Sequence, residues 1–250
     1  MKTYPLIACA LLAALAFILQ SSNGILGFPT GFGMTIDLAA VPILLALFIF
    51  GAEYAILTLA VLTLIILTTS PTGYIGALMK LAATLPMIIV PYLMTREKTP
   101  WKEAVDALLV VIGVLALFAI SIEFAKMQGL EMLAGIIPLL VVIAGGYWIG
   151  KQGGKVDLSD VKLAGLALLV AAIARSTLMT FANLYFAGPV FYHLSPTEFI
   201  SMLNALFLPV LGGGMGWFVI FFWNLVQSVL EFAIAWIPAY YFGLAKRHSE

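Results

Sequence analysis

Long apolar runs separated by short polar breaks dominate the chain. They predict membrane-spanning helices near residues 5–22, 37–50, 52–69, 75–95, 104–125, 131–150, 161–187 and 215–244. Crossing the hydrocarbon core takes roughly 20 residues at about 1.5 Å each, and most of these runs reach that length. The second run is short. The stretch 197–211, TEFISMLNALFLPVL, reads as an additional half-helix that dips in before the glycine-rich turn GGGMG at 212–216. The pattern therefore gives an all-α membrane protein, a polytopic helical bundle treated as a single domain over residues 1–250. No internal repeat, low-complexity tract or soluble domain interrupts it. The first run, MKTYPLIACALLAALAFILQSS, has the basic start and apolar centre of a secretory signal. No convincing small-x-small cleavage site precedes Asn23, so a retained helix is expected.

Composition sharpens this picture by exclusion. Of the 250 residues 63% are apolar and 10% charged, with acidic and basic residues balanced at twelve each. A neutral chain without a basic run offers nothing to a nucleic acid, and no glycine-rich phosphate loop follows a candidate strand. Cys9 is the single cysteine, and His193 and His248 are the two histidines, so no disulfide, metal cluster or cofactor is implied.

Charge placement sets the expected orientation. Lys2, Arg96, Lys98, Lys102, Lys151, Lys155, Lys162, Lys246 and Arg247 all fall on one side of an eight-span path. Cytoplasmic loops carry the Lys/Arg excess, which predicts cytoplasmic termini in a multi-pass protein of the cell membrane. The opposite side holds residues 23–37, 70–74 and 188–196, rich in Gly, Pro and aromatics and able to fold over a cavity. The turn near Lys126 falls there as well.

Polar residues inside the spans carry the candidate chemistry. Ser176, Thr180 and Asn183 recur at i, i+4 and i+7, and Asn224, Gln227 and Glu231 at i, i+3 and i+7, so each set shares one helix face. Arg175 and Glu231 reach mid-bilayer depth, where a mutual salt bridge is the economical arrangement. Ser176, Thr177 and Thr180 suit helix–helix contacts or bonds back to their own helix. Asn183 and Asn224 lie nearer the outer surface. A primary amide there suits a neutral heteroaromatic ligand with imide or amide edges. Asp37 opens the short second helix, as a cap or as a ligand contact. Lys80 lies about five residues into its helix and can snorkel outward, reach a ligand or meet Asp37. Phe28, Phe32, Tyr185, Tyr192, Trp217 and Trp223 fit an interfacial belt, though a flat ring would need some of them for stacking. Glu53, beside Gly51 at a tight turn, is expected to be structural, and glycines 212–214 to form a bend.

The runs IDLAAVPILLALFIFGAEYAIL (36–57), PTGYIGALMKLAATLP (71–86), RSTLMTFANLYFAGPVFY (175–192) and FFWNLVQSVLEF (221–232) resemble, in that order, membrane-embedded S components of energy-coupling factor vitamin transporters. The riboflavin-specific type is the nearest look. The resemblance implies a six-helix core over 1–103 and 161–250, with residues 104–150 an inserted helical pair, about eight transmembrane helices in all. It implies a non-enzymatic subunit that captures riboflavin or a related flavin from outside, beneath its long first loop. It also implies partners, a transmembrane T subunit and two cytoplasmic ATPases. The family's AxxxA contact with the T subunit maps onto Ala10 and Ala14. Asp37, Asn183 and Asn224 match positions of ring- or ribityl-contacting groups. Lys80 stands where Asn is frequent, and Gln227 where the riboflavin pattern has Lys, so these two bear on which vitamin is bound. Two other functions are compatible with the residues: an S component for another vitamin, and a proton-coupled secondary transporter with Arg175 and Glu231 as its relay.

Overall fold

A computed structural model describes residues 3–31, 35–96, 113, 133–211 and 214–245. The chain is almost wholly helical: α1 (Thr3–Ser21), a single turn α2 (Asn23–Leu26), α3 (Ala40–Phe50), α4 (Ala52–Thr69) and α5 (Gly73–Met94). Then follow α6 (Leu133–Lys151), α7 (Val161–Ala182), the short α8 (Gly188–Tyr192), α9 (Pro196–Leu211) and α10 (Gly216–Trp236). A two-stranded antiparallel ribbon sits in the loop after α1, with β1 (Phe28–Pro29) placing Phe28 opposite Ile36 of β2 (Thr35–Ile36). Among the described residues five helical segments are long and apolar enough to cross a membrane: Thr3–Ser21, Ala52–Thr69, Gly73–Met94, Val161–Tyr192 and Gly216–Tyr241. Their outward faces carry uncovered Leu11, Leu15, Ile18, Leu166, Leu169 and Ile173, which suit lipid. The protein is an all-α, multi-pass membrane protein.

Most predicted boundaries agree with these elements to within a few residues. The helix near 37–50 starts three residues later, at Ala40, because the Asp37 carboxylate bonds a backbone amide and leaves Asp37 outside the helix. The helix near 161–187 ends its regular α form at Ala182 but continues through a π turn, Asn183–Ala187, into α8. Asn183 consequently lies nine residues inside that helical path, not four as its spacing suggests. The predicted helix at 104–125 falls outside the described residues apart from Gly113, as do Phe32, the turn near Lys126 and several of the orienting basic residues.

Helix α7 packs against α5 and α10, α4 against α1, α3, α5 and α6, and α3 against α1, α4 and α10. The shared core includes Ile43, Leu44, Leu47, Leu59, Leu62, Met87 and Ile88. Eleven residues make α3 about 16 Å long, half the roughly 30 Å hydrocarbon core. Such a short helix is tolerated because protein surrounds it, so its ends meet polar groups rather than lipid. Its exit is the turn at Gly51, where φ of 112° excludes most other residues and an added Cβ would lie 2.7 Å from the Gly154 carbonyl. That carbonyl accepts from Ala52 N at 2.7 Å.

Gly154 belongs to an extended strap, residues 153–159, in which Gly154, Val156 and Leu158 are buried and Lys155, Asp157 and Ser159 exposed. The alternation is that of a strand, although no second strand pairs with it among the described residues. Side chains of the last helix pair it instead. The Tyr240 hydroxyl donates to Val156 O at 3.1 Å and accepts from Leu158 N at 3.0 Å, and Trp236 Nε1 donates to Leu158 O at 2.9 Å. The strap closes the bundle end opposite the cavity described next.

Candidate functional site

Several elements converge on one cavity of about 540 Å³. It lies at the end of the bundle formed by the C-terminal end of α1, the loop before α3, the start of α5, the α7–α8 region and the first half of α10. Asp37, Lys80, Asn183, Asn224 and Gln227, the residues singled out from sequence, all line it. They span the chain from the first loop to the last helix, so only the tertiary fold brings them together.

The loop before α3 is held by charge. Lys80 Nζ bonds both oxygens of Asp37, at 2.9 and 3.0 Å, and Asp37 also accepts from Ala39 N at 2.8 Å and Asn23 Nδ2 at 3.4 Å. Of the roles open to Lys80, the structure shows the ion pair with Asp37, and Lys80 also lines the cavity. Burial opposes the charged form of Asp37. The Lys80 ammonium and its hydrogen bond, the Ala39 amide and the Arg175 charge outweigh it and hold the carboxyl below its ordinary value of 3.8.

A second polar chain lies deeper. Arg175 and Glu231 form the expected salt bridge, with side chains 3% and 0% exposed. Glu231 uses its other oxygen to accept from Gln227 Nε2 at 2.9 Å, and the same amide nitrogen donates to the Asp37 carbonyl at 3.2 Å. Gln227 therefore joins the two charge pairs, tying α10 to the first loop and, through Glu231, to α7. Buried charges of this kind are tolerated in a membrane span because each finds a partner.

The two in-span asparagines bond back to their own helices. Asn183 Nδ2 donates back to Met179 O at 2.8 Å and Asn224 Nδ2 to Ile220 O at 2.8 Å, each i to i−4 along its helix. Each bond uses one of the two N–H groups and fixes the side chain against its helix. Thr180 likewise bonds back to Ser176 O at 2.7 Å, as expected for a hydroxyl in a span. A π turn beginning at Asn183 is a form frequent at functional sites, and here it re-aims the chain so that Gly188, Phe191 and Tyr192 reach the cavity.

Sequence reasoning missed Gln20, Asn23, Thr72, Phe191 and Phe199, which also line the cavity. Gln20 and Asn23 read as the polar end of a helix, and nothing in their spacing distinguishes them. Phe199 belongs to α9, which packs on α10 through Leu203, Val219 and Ile220 and bonds it through Asn204 Oδ1, an acceptor from Gly216 N at 2.7 Å. Of the aromatics assigned to an interfacial belt, Tyr185 and Trp217 are exposed. Phe28 and Tyr192 are exposed as well, yet Phe28 lies tilted against Trp223, with centroids 5.7 Å apart, and Tyr192 against Phe199 at 5.4 Å.

The arrangement is a half-apolar chamber with two neutralised ion pairs and several amides. It holds no net charge to attract an ion, and its shape and polar edges suit a neutral, ring-containing ligand. No known protein family, curated protein or solved structure matches the chain.

Proposed function

We propose that this chain is the vitamin-binding S component of an energy-coupling factor transporter, capturing riboflavin or a related flavin in the cavity for delivery to the cytoplasmic side. The observation that carries the reading is convergence. Five residues chosen from four separated motifs line a single chamber large enough for a fused-ring ligand. The helix order supports it too. Counting the short α3, helices α1, α3, α4, α5, α7 and α10 make a six-helix core, with residues 104–150 as the insertion. Asn23, Thr35 and Asp37 of the ribbon-bearing loop line the cavity, as residues of a loop that covers a captured vitamin would. Ala10 and Ala14 face outward from α1, available to a T subunit in the bilayer, with two cytoplasmic ATPases completing the transporter. Both termini lie in the cytoplasm of this reading, and the chain itself performs no catalysis.

The test is mass spectrometry of small molecules released by denaturing protein purified in detergent without added vitamin. A stoichiometric flavin is expected. Another vitamin would keep the transporter class and change the ligand. Protein that carries none, and whose tryptophan fluorescence ignores added riboflavin, would overturn the flavin reading.

A second reading rests on one observation, the buried Arg175–Glu231 pair linked through Gln227 to Asp37 and Lys80. Such a chain of ionisable groups is also what a proton-coupled secondary transporter needs. Uptake driven by an imposed proton gradient in vesicles holding this chain alone would favour it.

A further inference from the structure

Gln227 is the cavity residue whose amide orientation the fold determines. Its Nε2 donates to Glu231 Oε1 at 2.9 Å and to the Asp37 carbonyl at 3.2 Å. Both neighbours are acceptors, so the nitrogen must face them, and the two bonds consume both of its protons. What remains to Gln227, a residue lining the cavity, is its Oε1, an acceptor only. The acceptor character is imposed by Glu231, which Arg175 holds from the other side. Arg175 also lines the cavity, is 2% exposed, and keeps Nε without a hydrogen-bond partner among the described residues. Because Glu231 binds both side chains, the acceptor of Gln227 and the Arg175 guanidinium belong to one polar wall.

Resting on the reading of this cavity as a ligand site, we infer that the wall recognises an amide or imide edge. Gln227 Oε1 takes the ligand's N–H, while Arg175, held by Glu231, fixes the far side of that wall. Glu231 is the positioning residue: it touches no ligand but decides which end of the Gln227 amide meets one. A ligand lacking that N–H leaves a buried acceptor unpaired and is rejected, which makes Gln227 a determinant of specificity rather than only of affinity.

The probes are riboflavin, whose ring has one N–H between two carbonyls, and 3-methylriboflavin, in which a methyl group replaces that hydrogen. Binding to the full chain in detergent is read from quenching of flavin fluorescence. The wild type is expected to prefer riboflavin at least tenfold. In Gln227→Met the preference falls to within about twofold, because steric exclusion alone would survive the substitution and a lost hydrogen bond would not. In Glu231→Gln the new amide can donate to Gln227, the side chain is free to turn, and the preference narrows although Gln227 is still present. Equal binding of the two flavins by the wild type, or an unchanged preference in Gln227→Met, overturns the inference.

If neither flavin binds the wild type, the flavin reading fails and the wall is judged without a ligand. The side-chain ¹⁵N amide signal of Gln227, identified by its loss in Gln227→Met, is expected to show both protons protected from exchange. Rapid exchange of the pair would overturn the inference. The same measurement on the wild type decides the matter should Glu231→Gln fail to fold.

Discussion

Asn224 is fully buried on α10, with one amide proton committed to Ile220 O and the residue on the cavity wall. Replacing it with Leu keeps the volume and removes the polar edge. Riboflavin affinity should fall tenfold or more, about 1.4 kcal/mol, in a fluorescence titration. The Arg175–Glu231 pair makes a different demand. Arg175→Met alone leaves a carboxylate without its counter-charge and should lower stability by about 3–5 kcal/mol, whereas Arg175→Met with Glu231→Leu should recover most of that loss. Thermal unfolding of the three proteins in detergent measures the difference, and equal losses in the single and double variants would contradict it. Asp37 gives a pH dependence. Its folded carboxyl sits below the ordinary value of 3.8, so the contribution of its pair with Lys80 is complete above that value and is lost as pH falls through the lower, folded one. Trp223 packs against Phe28 of the same loop, so its fluorescence should hold through pH 5 and change only below about pH 4. A transition near neutrality would mean that another group anchors the loop.

Elements divide by how much of their cause lies nearby in sequence. The long helices were legible because an apolar run is its own signal in a membrane, and 52–69 was predicted with both its ends correct. The Arg175–Glu231 pair was legible too, since two opposite charges at matching depth have little alternative to meeting. The strap at 153–159 was not. Its glycines, lysine and aspartate read as an ordinary polar loop, and the partners that order it, Tyr240 and Trp236, lie roughly 80 residues further on. The cavity was half legible. In-span amides announce themselves, but Gln20, Asn23 and Thr72 stand at helix ends where polar residues are ordinary, and Phe199 arrives on a separate helix. Gly188 is what lets that helix approach, since an added Cβ would run into the Phe199 ring. Gly188→Val should displace α9 and weaken riboflavin binding at least tenfold, while Gly24→Ala, at an open position of α2, should do neither. Binding titrations with limited proteolysis at α9 would check both.

At the scale of the molecule, the two ends of the bundle differ in construction. One holds the cavity under a loop tied by an ion pair, and the other is closed by α3, its turn at Gly51 and the strap. Between them the apolar core is continuous. Ligand capture and partner docking should therefore be separable. Ala10→Leu with Ala14→Leu alters the outward face of α1 away from the cavity and should leave riboflavin affinity within about twofold, while co-purification with a co-expressed T subunit and ATPases is lost. Loss of binding in that variant would show that α1 shapes the cavity through this face.

The two ion pairs also set a timetable. Glu231 follows Arg175 by 56 positions and Lys80 follows Asp37 by 43, so in each pair the ribosome delivers one charge well before its partner. At roughly 5–20 residues per second, Arg175 waits about 3–11 s for its counter-charge. A helix bearing a lone arginine is a poor candidate for release into lipid, so α7 is expected to stay beside the insertion machinery until α10 emerges, which crosslinking of chains stalled between the two would check. The salt bridge that steadies the finished cavity would thus also set when α7 can leave for the lipid.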